Sequence, residues 1–309
     1  MATASSAATD HGDIKAVPLR RPGRAVTALI LVVLLALFVY GAATNDAYDW
    51  NTYGKYIFDK RISDAAVVTL ELTLISMAIA IVLGVILAVM RMSDNPVLKS
   101  VAWLYLWIFR GTPVYIQLVF WGLITNIYSQ LDLGVPFLVQ FTHLKTESWL
   151  TPFVAAFIGL GLNEAAYMAE IVRAGIGSVD EGQHEAAVAL AMTWGMTMRR
   201  VVLPQAMRVI IPPTGNEVIS MLKTTSLVVA VPLTTDLYSV GRQIGGVLFR
   251  PIPLLLVIST WYLAVTSILM VGQYFLEKRY SRGASRVLTP RQLRALAEAQ
   301  SAERPHGGM

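Results

Sequence analysis

The chain has 309 residues, 55% of them hydrophobic and 15% charged, with a mean hydropathy of +0.56. Soluble domains carry about a quarter charged residues, so this composition points to an integral membrane protein. The absence of cysteine excludes disulfides, thiolate metal sites and thiol catalysis, and the four scattered histidines (His11, His143, His184, His306) offer no metal-ligand spacing.

An apolar run of about 20 residues crosses the hydrocarbon core as a helix. Residues 1–24 read as a polar tail, and residues 25–43 as the first span. That run is long for a signal peptide and lacks a clean A-x-A site before Asn45, so it reads as a retained anchor. Five further spans are predicted at 66–90, 100–126, 151–175, 205–234 and 251–275. The third is expected to break at Gly111-Thr112-Pro113 and the fifth at Pro212-Pro213 with Gly215. Breaks inside lipid survive only where neighbours or a cavity satisfy the freed backbone groups, which places both spans within the bundle. Residues 276–309 form a basic tail with a short helix expected at 290–302. No short internal repeat is present, so solenoids and propellers are excluded.

The net charge of +5 follows the positive-inside pattern rather than marking a nucleic-acid partner. With a cytoplasmic N-terminus, 16 basic residues fall in inside segments and 6 in outside loops. Both termini are therefore expected in the cytoplasm.

Residues 185–206, EAAVALAMTWGMTMRRVVLPQA, then lie on the cytoplasmic side between the fourth and fifth spans. Glu185 opens a helix where negative charge complements the macrodipole. Ala186, Ala187, Ala189 and Ala191 keep it slim, Trp194-Gly195 is expected to bend it, and Pro204 suits the first turn of the next span. On residue types alone, an amphipathic helix lying in the interface accounts for this stretch as well as a docking helix does.

Its letters, with Leu203-Pro204 eighteen residues after Glu185, resemble the EAA loop of bacterial ABC-importer permeases. That family usually has glycine where this chain has Ala191, and Gly195 follows four positions later. Further stretches are similar to permeases of polar amino acid importers. They are Thr69 to Leu74, the run Phe109-Arg110-Gly111-Thr112-Pro113 closed by Gln117, Ala166 to Ala174, Gly182-Gln183, Gln205-Ala206, Pro212-Pro213 and Lys223 to Leu227. In register they cover about 65–275, leaving the first span and both tails outside.

The resemblance implies an all-α integral membrane protein of the type I ABC importer permease fold, with about six spans and a coupling loop at about 176–204. It implies a bacterial inner-membrane location and a partnership with two ABC ATPases, a second permease chain and an extracytoplasmic amino-acid-binding protein. Glu185, Ala186, Ala187, Ala191, Gly195, Arg199, Leu203 and Pro204 are then the ATPase-coupling residues. The chain itself is not expected to be an enzyme or to hold a cofactor, ATP and Mg being bound by the partner. It carries no G-x-x-x-x-G-K-[ST], and Gly54-Lys55 is followed by Tyr56. The competing class is an ion-gradient-driven secondary transporter, which also uses broken helices and buried carboxylates.

Ionisable residues within spans are costly and face a cavity or partner. Asn163, Tyr167 and Glu170 share one helix face, suited to a substrate ammonium, although Glu170 also stands one turn from Arg173. Lys223 could attract a substrate carboxylate or neutralise Glu217 or Glu170, and Glu71 is a further pathway candidate. Glu164 points away from the Asn163 face. Arg110, beside Gly111 and Pro113, is expected to cap carbonyls freed at the break or to pair with a carboxylate such as Glu170. The acids favour cationic or polar neutral amino acids, while Lys223 and Arg110 leave acidic ones open.

Overall fold

The computed structural model describes residues 22–135 and 139–280. The N-terminal tail to residue 21 and the C-terminal segment from 281, with its expected helix at 290–302, lie outside the described residues. The chain divides into two units, residues 1–49 and 50–309.

In the first unit, α1 (Pro22–Thr44) is an apolar rod with exposed side chains from Leu29 to Tyr40. A helix apolar on every side is at home only in a core or in lipid. Thr27 and Thr44 return their hydroxyls to carbonyls four residues back, at 2.9 Å each, so neither presents a free polar group.

The second unit opens with α2 (Trp50–Tyr56) and α3 (Lys60–Met92). Asp59 caps α3 by accepting from the Arg61 backbone N–H at 2.9 Å. The Arg61 guanidinium bonds the same carboxyl, which holds it below the usual carboxylate range. The expected third span is two helices, α4 (Pro96–Gly111) and α5 (Val114–Ile127), parted at Thr112-Pro113 as the sequence predicts. Thr112 is extended, the conformation that a following proline imposes.

A two-stranded antiparallel hairpin follows, β1 (Gln130–Val135) and β2 (Val139–Lys145), which the sequence reading did not anticipate in an otherwise helical chain. After α6 (Thr146–Trp149) come α7 (Pro152–Gly177), α8 (Glu181–Ala189) and α9 (Trp194–Thr197). A π turn over Met198–Val202 leads directly into α10 (Leu203–Thr224). A 3-10 turn (Thr225–Ala230), α11 (Leu237–Val247) and α12 (Pro251–Tyr280) complete the described residues. Among the described residues, four helices are long and apolar enough to cross a membrane: Val26–Thr44, Lys60–Met92, Pro152–Gly177 and Pro251–Tyr280.

The expected break at Pro212-Pro213 is absent, because α10 runs through both prolines. Their missing N–H groups deprive the carbonyls of residues 208 and 209 of donors. Side chains hold the adjoining turn instead. Thr214 donates to the Ile210 carbonyl at 2.8 Å, and the Gln273 amide of α12 donates to the Pro212 carbonyl at 2.7 Å. Gly215 leaves the room that Gln273 occupies. The helix yields later, as a 3-10 turn beyond Thr224.

The organising contact is the seam between α3 and α7. A Cβ on Gly84 would stand 2.5 Å from the Met168 Cβ and 3.1 Å from the Ala169 backbone nitrogen, while Gly161 rests on Ile79 and the Ser76 carbonyl. Small residues permit this close backbone approach, which matters in lipid because dispersion rather than water exclusion drives helix association. Around the seam, Leu72, Met77, Leu118, Leu160, Met168 and Met221 form the largest apolar cluster. Replacing Gly84 with Ala should destabilise the purified protein by about 1–3 kcal/mol through overpacking. Gly272, with open space around its Cβ position, should tolerate Ala without loss. Thermal unfolding of both variants in detergent checks the contrast.

Candidate functional site

Within the bundle, the α4–α5 break is closed by side-chain amides. The Gln117 amide group donates to the Phe109 carbonyl at 3.0 Å, the Thr112 carbonyl at 3.1 Å and the Thr112 hydroxyl at 2.8 Å. Asn163 of α7 donates to the same Phe109 carbonyl at 3.0 Å and to Gln117 Oε1 at 3.1 Å. Arg110 therefore does not supply the expected carbonyl cap. Asn163 is buried, and both hydrogens of its amide are committed to the break. Tyr105 adds a third tie by donating to the Leu162 carbonyl at 2.7 Å. Gly111 and Pro113 stand at the break itself, where the chain turns extended.

Glu170 gathers three guanidinium groups. Arg91 of α3 lies 2.8 Å from Oε1, Arg173 of α7 lies 2.8 Å from Oε2, and Arg110 of α4 lies 3.6 Å from Oε1. The pairing with Arg173 and with Arg110 follows the sequence reading, whereas Arg91, at the far end of another helix, was not foreseen. Arg110 also stacks over Tyr167, with its guanidinium carbon 5.6 Å from the ring centroid. One carboxylate thus ties three helices together, and the group carries an excess of positive charge. Glu71 and Lys223 are exposed and take no part in these ion pairs. Among the described residues Lys223 forms no ion pair.

The loop beyond α7 departs from the helix expected to run from Glu185 to a bend at Trp194-Gly195. Asp180 caps α8 by accepting from the Gly182 backbone at 2.8 Å. The helix then closes on a Schellman motif, with Met192 N–H on the Ala187 carbonyl at 3.0 Å and Ala191 N–H on the Val188 carbonyl at 2.9 Å. Ala191 occupies the left-handed position of that motif, at φ 56°. The chain therefore turns at 190–193, ahead of the bend expected at Trp194-Gly195, and Thr193 caps α9.

Along this loop Glu185, Ala186, Ala191, Gly195, Arg199, Leu203 and Pro204 are exposed, as are the apolar side chains of Val188, Leu190 and Trp194. Ala187 is buried, so it anchors α8 inward instead of facing a partner. Gln205 of α10 bonds the Val201 carbonyl at 2.9 Å and reaches Gln183 of α8 at 3.3 Å, tying the loop to α10. Above the loop, a cavity of about 890 Å³ opens between α3, α7 and α10, lined by Val85, Met168, Val172, Met207 and Ile211, with His184 and Trp194 on its wall.

Residues 80–282 match the family described as "binding-protein-dependent transport system inner membrane component". The chain belongs to this family. This membrane component is 61% identical, over 94% of its length and 90% of the relative's, to the arginine transport system permease protein ArgU of Corynebacterium glutamicum. It is 34% identical, over 79% of its length and 96% of the relative's, to the L-cystine transport system permease protein TcyL of Bacillus subtilis. A crystal structure of an amino acid ABC transporter with histidines aligns with a TM-score of 0.61 at 32% identity. That alignment covers 76% of this chain and 99% of the other. The chain is thus a permease component resident in a membrane, with the fold expected from the sequence, and the ion-driven secondary transporter is set aside.

Two outcomes follow for this permease component. Replacing Glu170 with Gln leaves three guanidinium groups without a counter-charge. Discounted for their partial exposure, this should cost about 1–3 kcal/mol, read as a fall in the denaturation midpoint of the purified protein. Ala191→Gly should stabilise α8 by about 1 kcal/mol, since a Cβ is penalised in the left-handed region, and Ala191→Val should destabilise it. Amide hydrogen exchange across residues 181–197 checks both.

Proposed function

We propose that this component forms the translocation pathway of an ATP-driven importer for polar amino acids, with cationic ones, arginine foremost, as cargo. The single observation that carries the substrate is the 61% identity, over nearly the whole chain, to a permease named for arginine transport. The location is a bacterial inner membrane, and the basic residues of the loops support cytoplasmic termini. An extracytoplasmic binding protein delivers the amino acid, consistent with the family's description.

ATP and Mg are bound by two separate ATPase subunits, since the sequence has no phosphate-binding loop of its own. They grip the exposed α8 and α9 loop, with Glu185, Ala191, Gly195, Arg199, Leu203 and Pro204 on the coupling surface. Exposed Val188, Leu190 and Trp194 support this reading, because apolar side chains left bare on a loop mark a docking site. A second permease chain, the same or similar, completes the pathway. ATP binding closes the ATPase pair, and α8 passes the motion to α10 through the Gln183–Gln205 tie and the π turn. Access switches from the outer to the inner side. Tyr167 and Glu71 remain pathway candidates on exposed faces, as does Lys223 on α10.

The test is reconstitution of the permease and its ATPase in proteoliposomes with the binding protein. Arginine uptake should require ATP and be stimulated by the binding protein. Glu185→Ala should reduce uptake at least tenfold and weaken co-purification with the ATPase. Uptake that follows an ion gradient without ATP would overturn the reading.

A further inference from the structure

The Glu170 cluster sets three positive charges, those of Arg91, Arg110 and Arg173, against one negative. Three guanidiniums offer roughly fifteen N–H donors, and one carboxylate accepts about four. The shortfall shows in the geometry. Arg91 and Arg173 hold Glu170 at 2.8 Å, whereas Arg110 stands off at 3.6 Å and lies over the Tyr167 ring. Among the described residues no second acid joins the group, and Asp94, three residues beyond Arg91, forms no ion pair. The side chains of Arg91, Arg110 and Arg173 stay 32%, 45% and 45% exposed, so an anion can reach the donors that Glu170 leaves unused.

The place of the cluster selects the anion. Arg91 is in the last turn of α3 and Arg173 lies about one turn before the end of α7. Both therefore stand at the end of the bundle that the loop charges assign to the cytoplasm. Arg110 comes to the same cluster from α4. On that helix Lys99, Trp103, Trp107 and Arg110 follow one another at four, four and three residues, which puts them on one face. All four are exposed, and the two indoles stack with centroids 6.2 Å apart. The other face of α4 carries Ala102 and Leu106 into the packing with Leu87, Ala166 and Ala169. Outward tryptophans and basic side chains match the headgroup layer of a bilayer, and a basic pocket between spans on the cytoplasmic side suits an anionic headgroup.

We propose that Arg91, Arg110 and Arg173 bind the phosphate of an anionic phospholipid in the cytoplasmic leaflet, with Trp103 and Trp107 bordering its headgroup. Guanidinium forks meet phosphate oxygens pairwise, and the phosphate supplies the negative charge that Glu170 alone does not. The lipid then ties α3, α4 and α7 from outside the bundle, as the carboxylate does from within. The proposal rests on membrane residence and on the orientation read from the loops, and it is independent of the cargo.

The experiment carries the full-length permease and its ATPase through detergent with equal amounts of phosphatidylglycerol and phosphatidylcholine, and reads the retained lipid by native mass spectrometry. The wild-type complex should favour phosphatidylglycerol about tenfold or more. Arg110→Gln and Arg173→Gln should each cut that preference about fivefold, the scale of one basic residue beside anionic lipid. Lys60→Gln, in an exposed ion pair on α3, should leave it unchanged. Recovery of each variant with the ATPase in the wild-type ratio shows that it has folded and assembled. Phosphatidylglycerol, and not phosphatidylcholine, should also restore part of the denaturation midpoint lost in Glu170→Gln. Equal retention of the two lipids by the wild type, or an unchanged preference in both arginine variants, overturns the proposal. Displacement of the lipid by excess inorganic phosphate assigns the cluster to a free anion instead. A disulfide between the Trp107→Cys variants of two permease chains gives this face to the permease pair, and the lipid site falls. The chain has no cysteine, so a Ser93→Cys variant reports the orientation separately. Its labelling by an impermeant maleimide from the outer side alone sinks the leaflet assignment and the orientation, whatever the cargo.

Discussion

The close approach of α3 and α7 is the constraint on which the rest of the second unit depends. Gly84 and Gly161 bring the two backbones together, and the polar side chains of α7 stand where that contact fixes them. About two turns of the helix carry Asn163 to the α4–α5 break, Glu164 toward α10, and Tyr167 and Glu170 toward Arg110 and Arg91. In lipid, no water can cover a misplaced amide or carboxylate, so helix separation and polar satisfaction are one problem. A wider seam would part Arg91 of α3 from the Glu170 carboxylate on α7.

The same economy explains how two kinds of helix interruption behave differently. At 111–113 the chain truly opens, and the exposed carbonyls are covered by Gln117 and Asn163 from nearby turns. At 212–213 the helix holds its course, because only two donors are lost and the adjoining carbonyls have Thr214 and Gln273. A proline pair removes donors but also restricts φ to helical values, so its effect depends on what stands beside it. The local sequence is similar in kind at both places. The difference lies in a side chain some sixty residues away on α12.

The coupling loop makes a related point about Ala191. The resemblance placed it where related permeases usually have glycine, without saying why glycine belongs there. The Schellman bonds at 187–192 supply the reason: this residue must adopt φ 56°, a conformation that glycine reaches freely and alanine reaches at a cost. The end of α8 is therefore set by backbone hydrogen bonding, and Trp194 begins the next helix instead of bending the first. Ala187 turning inward follows from the same geometry, since one face of a short helix must pack for the other to be presented.

Membrane residence, the positions of the long helices, the break at Gly111-Thr112-Pro113 and the family were all legible from the residues. Each depends on local composition or on motifs in register, and lipid enforces apolar length more strictly than water does. The hairpin at 130–145 and the short helix at 237–247 were missed, because neither has the length of a span and neither repeats a motif. The partners of the buried polar groups were also illegible. Asn163, Glu164, Tyr167 and Glu170 lie within eight residues of one helix, yet they meet the α4–α5 break, an acid of α10 and guanidiniums of α3 and α4. Helical periodicity says which residues share a face; only the tertiary packing decides what that face meets.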